Sequence, residues 1–223
     1  MVIRRRSNGS RRLPESTSIT TPKSGTWLLL ALLLLPVLAW GDESMEAWNK
    51  VSFDLNRLYP RLIAMNGVVV SISEQRLYLL QDGRPYQSYI VSTSRYGAGS
   101  EAGSFRTPLG MHRVVEKIGD EAEWGTIFRS RFNTGEIANI VNEPVRTTED
   151  NVTTRILWLS GQEPGLNQGE GIDSYQRYIY IHGTHEEGLL GQPASKGCIR
   201  MSNDDVIEIF QQLPEDTLVL ILP

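Results

Sequence analysis

From Val68 the chain takes on a period of two, with Val68, Val70 and Ile72 on one side and Val69, Ser71 and Ser73 on the other. Successive side chains of a β-strand point to opposite faces, so this repeat predicts a strand. Leu77 and Leu79 continue it, and Asp82-Gly83 marks a tight turn before a further strand over residues 86–92. Strands are also predicted over 111–116, 155–159 and 177–182, and the chain closes with an apolar strand at 218–222. Helical spacing occurs in two places. Trp48, Val51, Leu55, Leu58 and Leu62 fall on one helical face, which predicts a short helical linker over 42–66 interrupted by Pro60. Near the C-terminus, Ser202 with Asp205 three residues on reads as a cap. Val206, Ile207, Phe210 and Leu213 form one apolar face, and Pro214 ends the helix. Two long connections, 97–110 and 119–151, are rich in Gly, Ser, Thr and charge and read as loops framing a cleft. The pattern predicts one mainly β domain over 67–223.

The first 41 residues follow another rule. Residues 27–40 form a run of 14 without a charge, preceded by Arg4, Arg5, Arg6, Arg11, Arg12 and Lys23. A basic segment followed by a short apolar run is the layout of an export signal, and Ala39 and Gly41 offer a small-x-small cleavage site. The same layout serves an uncleaved membrane tether over 26–41 with its basic end in the cytoplasm. Both options place the rest of the chain in the periplasm or cell envelope. Without this leader, which carries six basic residues and one acid, 16 basic residues stand against 25 acidic ones, a net charge of −9. Such a surface repels polyanions, and no basic stripe interleaved with aromatics offsets it, so nucleic acid is excluded as a partner.

Cys198 is the only cysteine, so no intramolecular disulfide can form although the leader points to an oxidising compartment. A lone thiol is often a small buried hydrophobe, but its neighbours suggest chemistry. In Tyr178-Ile179-Tyr180-Ile181-His182-Gly183 the period of two puts Tyr178, Tyr180 and His182 on one face and the isoleucines on the other. Sixteen residues later comes Ser195-Lys196-Gly197-Cys198, after a loop able to fold back. A thiol attacks as thiolate and needs a base, which a strand-end imidazole supplies once its far nitrogen is held by an acceptor. Gly197 lets the backbone approach a substrate, and the amides of Lys196, Gly197 and Cys198 are candidates for an oxyanion hole. His182-x-x-His185 is a poor zinc site, because Gly183 breaks any helix and no third ligand is apparent. His185 reads as a solvated loop residue, and no metal is expected.

Ile181-His182-Gly183-Thr184, Ser195-x-Gly197-Cys198-Ile199-Arg200-Met201 and the following Asn203-Asp204-Asp205-Val206 resemble the signature of the YkuD-type L,D-transpeptidases. Val91-Ser92-Thr93-Ser94, Ser104-Phe105-x-Thr107-Pro108-x-Gly110 and Arg155-Ile156-Leu157-Trp158-Leu159 extend the likeness over residues 66–223. The resemblance implies a mainly β, β-sandwich-like catalytic domain with a short helix after the cysteine. It implies that Cys198 is acylated by a peptidoglycan stem peptide, that His182 is its base, and that the Gly183 carbonyl orients the ring. Arg200 is implied to hold the site or a substrate carboxylate, with a salt bridge to Asp204 or Asp205 as the plainer alternative. Ser195 and Thr184 are candidates for positioning substrate, or for turn bonding. No cofactor is required. The acyl acceptor stays open: another stem, water in an L,D-carboxypeptidase, or a lipoprotein lysine. A catalytically silent peptidoglycan-binding protein is the alternative from another class. One departure stands out, for Lys196 occupies a position where the family usually has His; a cation beside the thiol is expected to favour thiolate and keep or raise its reactivity.

Overall fold

The structure, a computed structural model, describes residues 42–59 and 66–223. The leader, Leu62 and Pro60 lie outside the described residues. Among the described residues no helix is long and apolar enough to cross a membrane.

Among the described residues ten strands form one continuous sheet. In chain order these are β1 (Gly67–Ser71), β2 (Arg76–Gln81), β3 (Arg84–Ile90), β4 (Gly110–Ile118), β5 (Thr126–Arg129), β6 (Phe132–Ile137), β7 (Val152–Gly161), β8 (Tyr180–Thr184), β9 (Ile199–Met201) and β10 (Leu218–Leu222). The main path runs β3-β2-β1-β10-β4-β7-β5-β6, while β8 pairs with β7 and carries β9 on its other edge. Asp82 and Gly83 both take positive φ, 51° and 71°, the two-residue turn that suits the twist of a β2–β3 hairpin.

The sheet is covered on both faces at its centre, which explains why β1 reads Val-Val-Val and β10 Leu-Val-Leu-Ile-Leu rather than strictly alternating. Val68, Val70, Val219 and Ile221 enter the main core with Leu157, Leu159, Ile181, Ile199 and Met201. Helix α2 (Asn203–Gln212) fills that core with Val206, Ile209 and Phe210. Ile209, not Ile207, completes its buried face, since Ile207 stays half-exposed. The cap is as the sequence predicts: Ser202 Oγ accepts from the Asp205 amide at 3.1 Å. On the other face, Val69, Tyr78, Leu80, Leu220 and Leu222 meet Trp48, Val51 and Leu55 of α1 (Asp42–Leu58). The described helix of the segment expected as a linker is therefore docked, each buried aliphatic side chain contributing about 1.5–3 kcal/mol.

The interior of the 119–151 connection is not all loop. Residues 126–137 fold into the β5–β6 hairpin, whose turn residues Ser130 and Arg131 take φ of 48° and 71°. Strand β8 begins at Tyr180, later than predicted, because Arg177 and Tyr178 belong to a turn in which Tyr178 has φ 58°. Tyr178 thus leaves the strand face on which the period of two placed it.

Candidate active site

Strand pairing brings the chemistry together. β8 and β9 run parallel with Ile181 beside Ile199 and His182 beside Arg200, so extending the register one step sets Cys198 beside Tyr180. Across β7, Ile156 faces His182 and Trp158 faces Tyr180. Side chains paired in register share a face, so Ile156, Trp158, Tyr180, His182, Cys198 and Arg200 all project from one side of three strands. Ile181, Ile199 and Leu157 point into the main core on the other side. Cys198 packs with Tyr180, Trp158, Ile156 and Phe128, and its Sγ lies 3.3 Å from the Tyr178 carbonyl oxygen.

The loop holding Cys198 is fixed by the segments that the sequence likeness singled out. The amides of Ala194 and Ser195 both donate to the Thr93 carbonyl at 2.9 Å, and Thr107 Oγ1 donates to the Gly197 carbonyl at 3.0 Å. Ser195 Oγ donates to the Cys198 carbonyl at 2.6 Å and accepts the Gly197 amide at 3.2 Å, so this hydroxyl closes the turn. Gly197 has φ 123°, a conformation L side chains rarely adopt.

His182 is buried, and its Nδ1 lies 2.7 Å from the Gly183 carbonyl oxygen. A carbonyl only accepts, so Nδ1 carries the proton and Nε2 is left as the basic nitrogen. Gly183 is required there by crowding: a Cβ would stand 2.7 Å from Asn203 Oδ1 and 2.8 Å from the Thr153 carbonyl oxygen. Asn203, wholly buried at the start of α2, ties this corner together. Its Oδ1 accepts from Thr153 Oγ1 at 2.7 Å and from Thr154 Oγ1, while Nδ2 donates to the Thr184 carbonyl and to Glu187 Oε1 at 2.9 and 2.6 Å. Thr154 reaches Asn203 because β7 bulges between Thr153 and Ile156. The Thr184 hydroxyl is also buried and accepts the Glu186 amide at 3.2 Å.

The electrostatics differ from the sequence expectation. Burial pushes the Cys198 thiol up to about 11, partly offset by a backbone hydrogen bond from Tyr180 and by the charges of Arg200 and Arg177, while Asp150 adds to the rise. Burial also pushes the His182 imidazole down to about 4, with Arg200 acting the same way and the Gly183 bond and Asp150 opposing. The resting pair is therefore a neutral thiol and a neutral imidazole. Lys196 does not act as the predicted cation beside the sulfur: its Nζ turns to Asp150 Oδ2 at 3.5 Å. The cation near the thiol that the sequence reading missed is Arg177, whose guanidinium also donates to the Gly99 and Arg106 carbonyls.

Arg200 is buried, but neither Asp204 nor Asp205 is its partner. Nη1 donates to Glu186 Oε2 at 2.7 Å and Nη2 to Asp150 Oδ1. Asp204 instead accepts from Trp124 Nε1 at 2.9 Å. Burial alone would raise the Asp150 carboxyl, yet Arg200, His182 and Lys196 together hold it below the usual carboxylate value. His185 is buried too, not solvated, with Nε2 2.8 Å from Thr147 Oγ1. Asp150 and Glu186 carried no sequence signal, being acidic residues in polar loops.

Two clefts flank the pair. One, of about 330 Å³, is lined by Phe128, Ser130, Arg131, Val152, Ile156, Tyr178 and Tyr180. The other, about 110 Å³, is walled by Arg95, Arg146, Lys196 and Arg200 with Glu149, Asp150 and Glu186. A larger depression of about 540 Å³ beside Lys117, Asp120 and Phe210 holds none of the candidate site residues.

A family model of the L,D-transpeptidase catalytic domain (YkuD) matches residues 66–221. The putative L,D-transpeptidase YqjB of Bacillus subtilis is 54% identical over 45 residues, 20% of this chain and 26% of its own length. The probable L,D-transpeptidase ErfK/SrfK of Salmonella typhimurium is 28% identical over 156 residues, 70% of this chain and 44% of its own. Among solved structures, an L,D-transpeptidase from Mycobacterium tuberculosis shares 17% identity over 70% of this chain and 57% of that one, with a TM-score of 0.43. The chain spans less than half the length of the two relatives from Bacillus and Salmonella.

Proposed function

We propose, on the premise that the chain belongs to the L,D-transpeptidase catalytic domain family, that Cys198 is the nucleophile of a peptidyl transfer on peptidoglycan stem peptides. One observation carries most of this reading. The only cysteine lies two register positions from a buried histidine, on the same face of the sheet, and the Nδ1 of that histidine is committed to the Gly183 carbonyl, leaving Nε2 to take a proton.

Because both groups rest neutral, proton transfer accompanies attack. His182 Nε2 takes the thiol proton as Sγ bonds to the carbonyl carbon at the L-centre of a diaminopimelate residue. The carbonyl π pair moves to oxygen. The Gly197 amide is engaged with Ser195 Oγ, which leaves the amides of Lys196 and Cys198 as the donors to that oxyanion. Collapse breaks the C–N bond, and the departing D-alanine amine takes the proton from His182. An acceptor amine then attacks the thioester and gives a proton to His182; the C–S bond breaks, and the departing sulfur takes that proton back from His182, restoring the neutral pair. Ser195, Thr184 and Arg200 serve this site by holding its loop, strand and ion network. The charged leader and its apolar run support a setting in the cell envelope.

The test is to incubate the full-length chain with disaccharide tetrapeptide and follow products and intact protein by mass spectrometry beside Cys198→Ala. A dimer lacking one D-alanine, together with an acyl adduct on Cys198, is expected from the unaltered chain alone. Tripeptide without dimer would assign the L,D-carboxypeptidase. Absence of product and adduct, with a thiol inert to alkylation, would leave a peptidoglycan-binding protein without chemistry.

A further inference from the structure

Arg200 has both terminal nitrogens on carboxylates, Glu186 and Asp150. A substrate carboxylate arriving at Arg200 would meet those two negative charges, and the small charged cleft around it sets Glu149 against Arg95, Arg146 and Lys196 in only about 110 Å³. Arg177 spends its guanidinium on the Gly99 and Arg106 carbonyls. Beside the larger, aromatic cleft an arginine is differently placed.

Arg131 sits at the tip of the β5–β6 hairpin in a left-handed conformation uncommon for a residue with a side chain. Its guanidinium lies over the Trp158 ring, 4.5 Å from the centroid, and 5.1 Å from that of Tyr178. Its Nη1 donates to the Tyr180 hydroxyl at 3.4 Å, and no carboxylate pairs with it among the described residues. The other arginine of the hairpin, Arg129, is paired with Glu136 at 3.2 Å. Stacking on aromatic faces fixes the guanidinium plane while leaving most of its N–H donors unspent. The residues it touches, Trp158, Tyr178 and Tyr180, include the two tyrosines that wall the 330 Å³ cleft, and the Tyr178 carbonyl is the one that Cys198 Sγ contacts.

We propose that Arg131 grips a carboxylate of the stem peptide in this aromatic cleft and so determines which peptides Cys198 receives; the inference rests on the transpeptidase reading above. A planar fork held beside apolar walls suits bidentate recognition of a carboxylate, and the partial exclusion of water strengthens the pair. Two groups of a tetrapeptide carry this chemistry near the scissile bond: the terminal D-alanine carboxylate and the side-arm carboxylate of diaminopimelate.

Binding is measured by titration calorimetry on full-length Cys198→Ala, which needs no turnover and so stands apart from the fate of the catalytic reading. Three tetrapeptides are compared: unmodified, amidated at the terminus, and amidated on the side arm. In the Cys198→Ala background, Arg131→Gln is expected to weaken the unmodified peptide by about ten- to a hundredfold, the range of a charge-assisted bond. The amidated peptide lacking the recognised group should show no such loss, which identifies the source. Arg131→Lys keeps the charge without the fork and should fall between. Equal losses on all three peptides, no loss on any, or no binding of any peptide before Arg131 is changed would each overturn the proposal.

Discussion

Two buried neutral histidines should make this protein sensitive to mild acid. His182 and His112 both titrate near 4 in the folded chain, against 6.5 for a free imidazole, and burial is the largest cause for each. His112 is locked with Nδ1 2.9 Å from the Gly110 carbonyl and Nε2 3.0 Å from Ser174 Oγ. A depressed folded value means that the unfolded chain binds more protons between pH 4 and 6.5, so stability rises with pH across that window. The contribution is complete above about pH 6.5 and is lost as pH falls toward 4. At pH 5 linkage gives a loss of about 2 kcal/mol per imidazole relative to pH 7, or about 4 kcal/mol for the pair. Domains of this size are stable by only about 5–15 kcal/mol, so the effect should be large. Asp150 and Glu186 are held below the usual carboxylate range, so they stay ionised through this window and do not mask it. Urea unfolding at a series of pH values measures it directly. His112→Gln should halve the pH 7 to 5 loss, whatever its own cost at pH 7, because only the His182 share remains. A stability flat between pH 7 and 5, or a slope unaffected by His112→Gln, would refute the reasoning.

Two further outcomes follow from the site. Gly183→Ala should destabilise the domain by about 1–3 kcal/mol in chemical denaturation and slow acylation of Cys198 more than the lost stability explains, because relief of the contacts with Asn203 and Thr153 displaces the carbonyl that orients His182; unchanged stability would show that the corner yields freely. Alkylation of Cys198 by iodoacetamide should keep accelerating above pH 9 rather than levelling off there, since burial holds the thiol near 11; a plateau near pH 7 would instead indicate a thiolate already formed at rest.

The neutral pair bears on the departure at position 196. A lysine there was expected to bias Cys198 toward thiolate, but its ammonium is drawn to Asp150, which already serves Arg200. Half-exposed, that ion pair contributes little by itself. The charges that reach the sulfur come from Arg177 and Arg200, and they do not overcome the cost of burying a negative sulfur.

Much of this was legible along the chain because its signals are local. The Asp82-Gly83 turn, the Ser202 cap three residues from Asp205, and the apolar runs of β1 and β10 each depend on backbone preferences within a few residues. Cys198 and His182 were recognisable because one strand and one short loop carry them. Other features had no local signature. The β5–β6 hairpin turns on Ser130 and Arg131, which lack the Gly or Asn usual at positive φ, and its second strand is largely exposed. Ile209 displaced Ile207 from the core because the rotation of α2 is set by what it packs against. Arg200 chose Asp150 and Glu186 over the nearer Asp204 and Asp205. In β9 its side chain points to the face shared with His182, where Asp150 meets it directly and Thr147 holds its other partner, Glu186. Sequence alone thus determined most of the elements and singled out Cys198 and His182 as candidates, whereas tertiary structure decided charge partners, burial and protonation, which depend on residues brought together from distant parts of the chain.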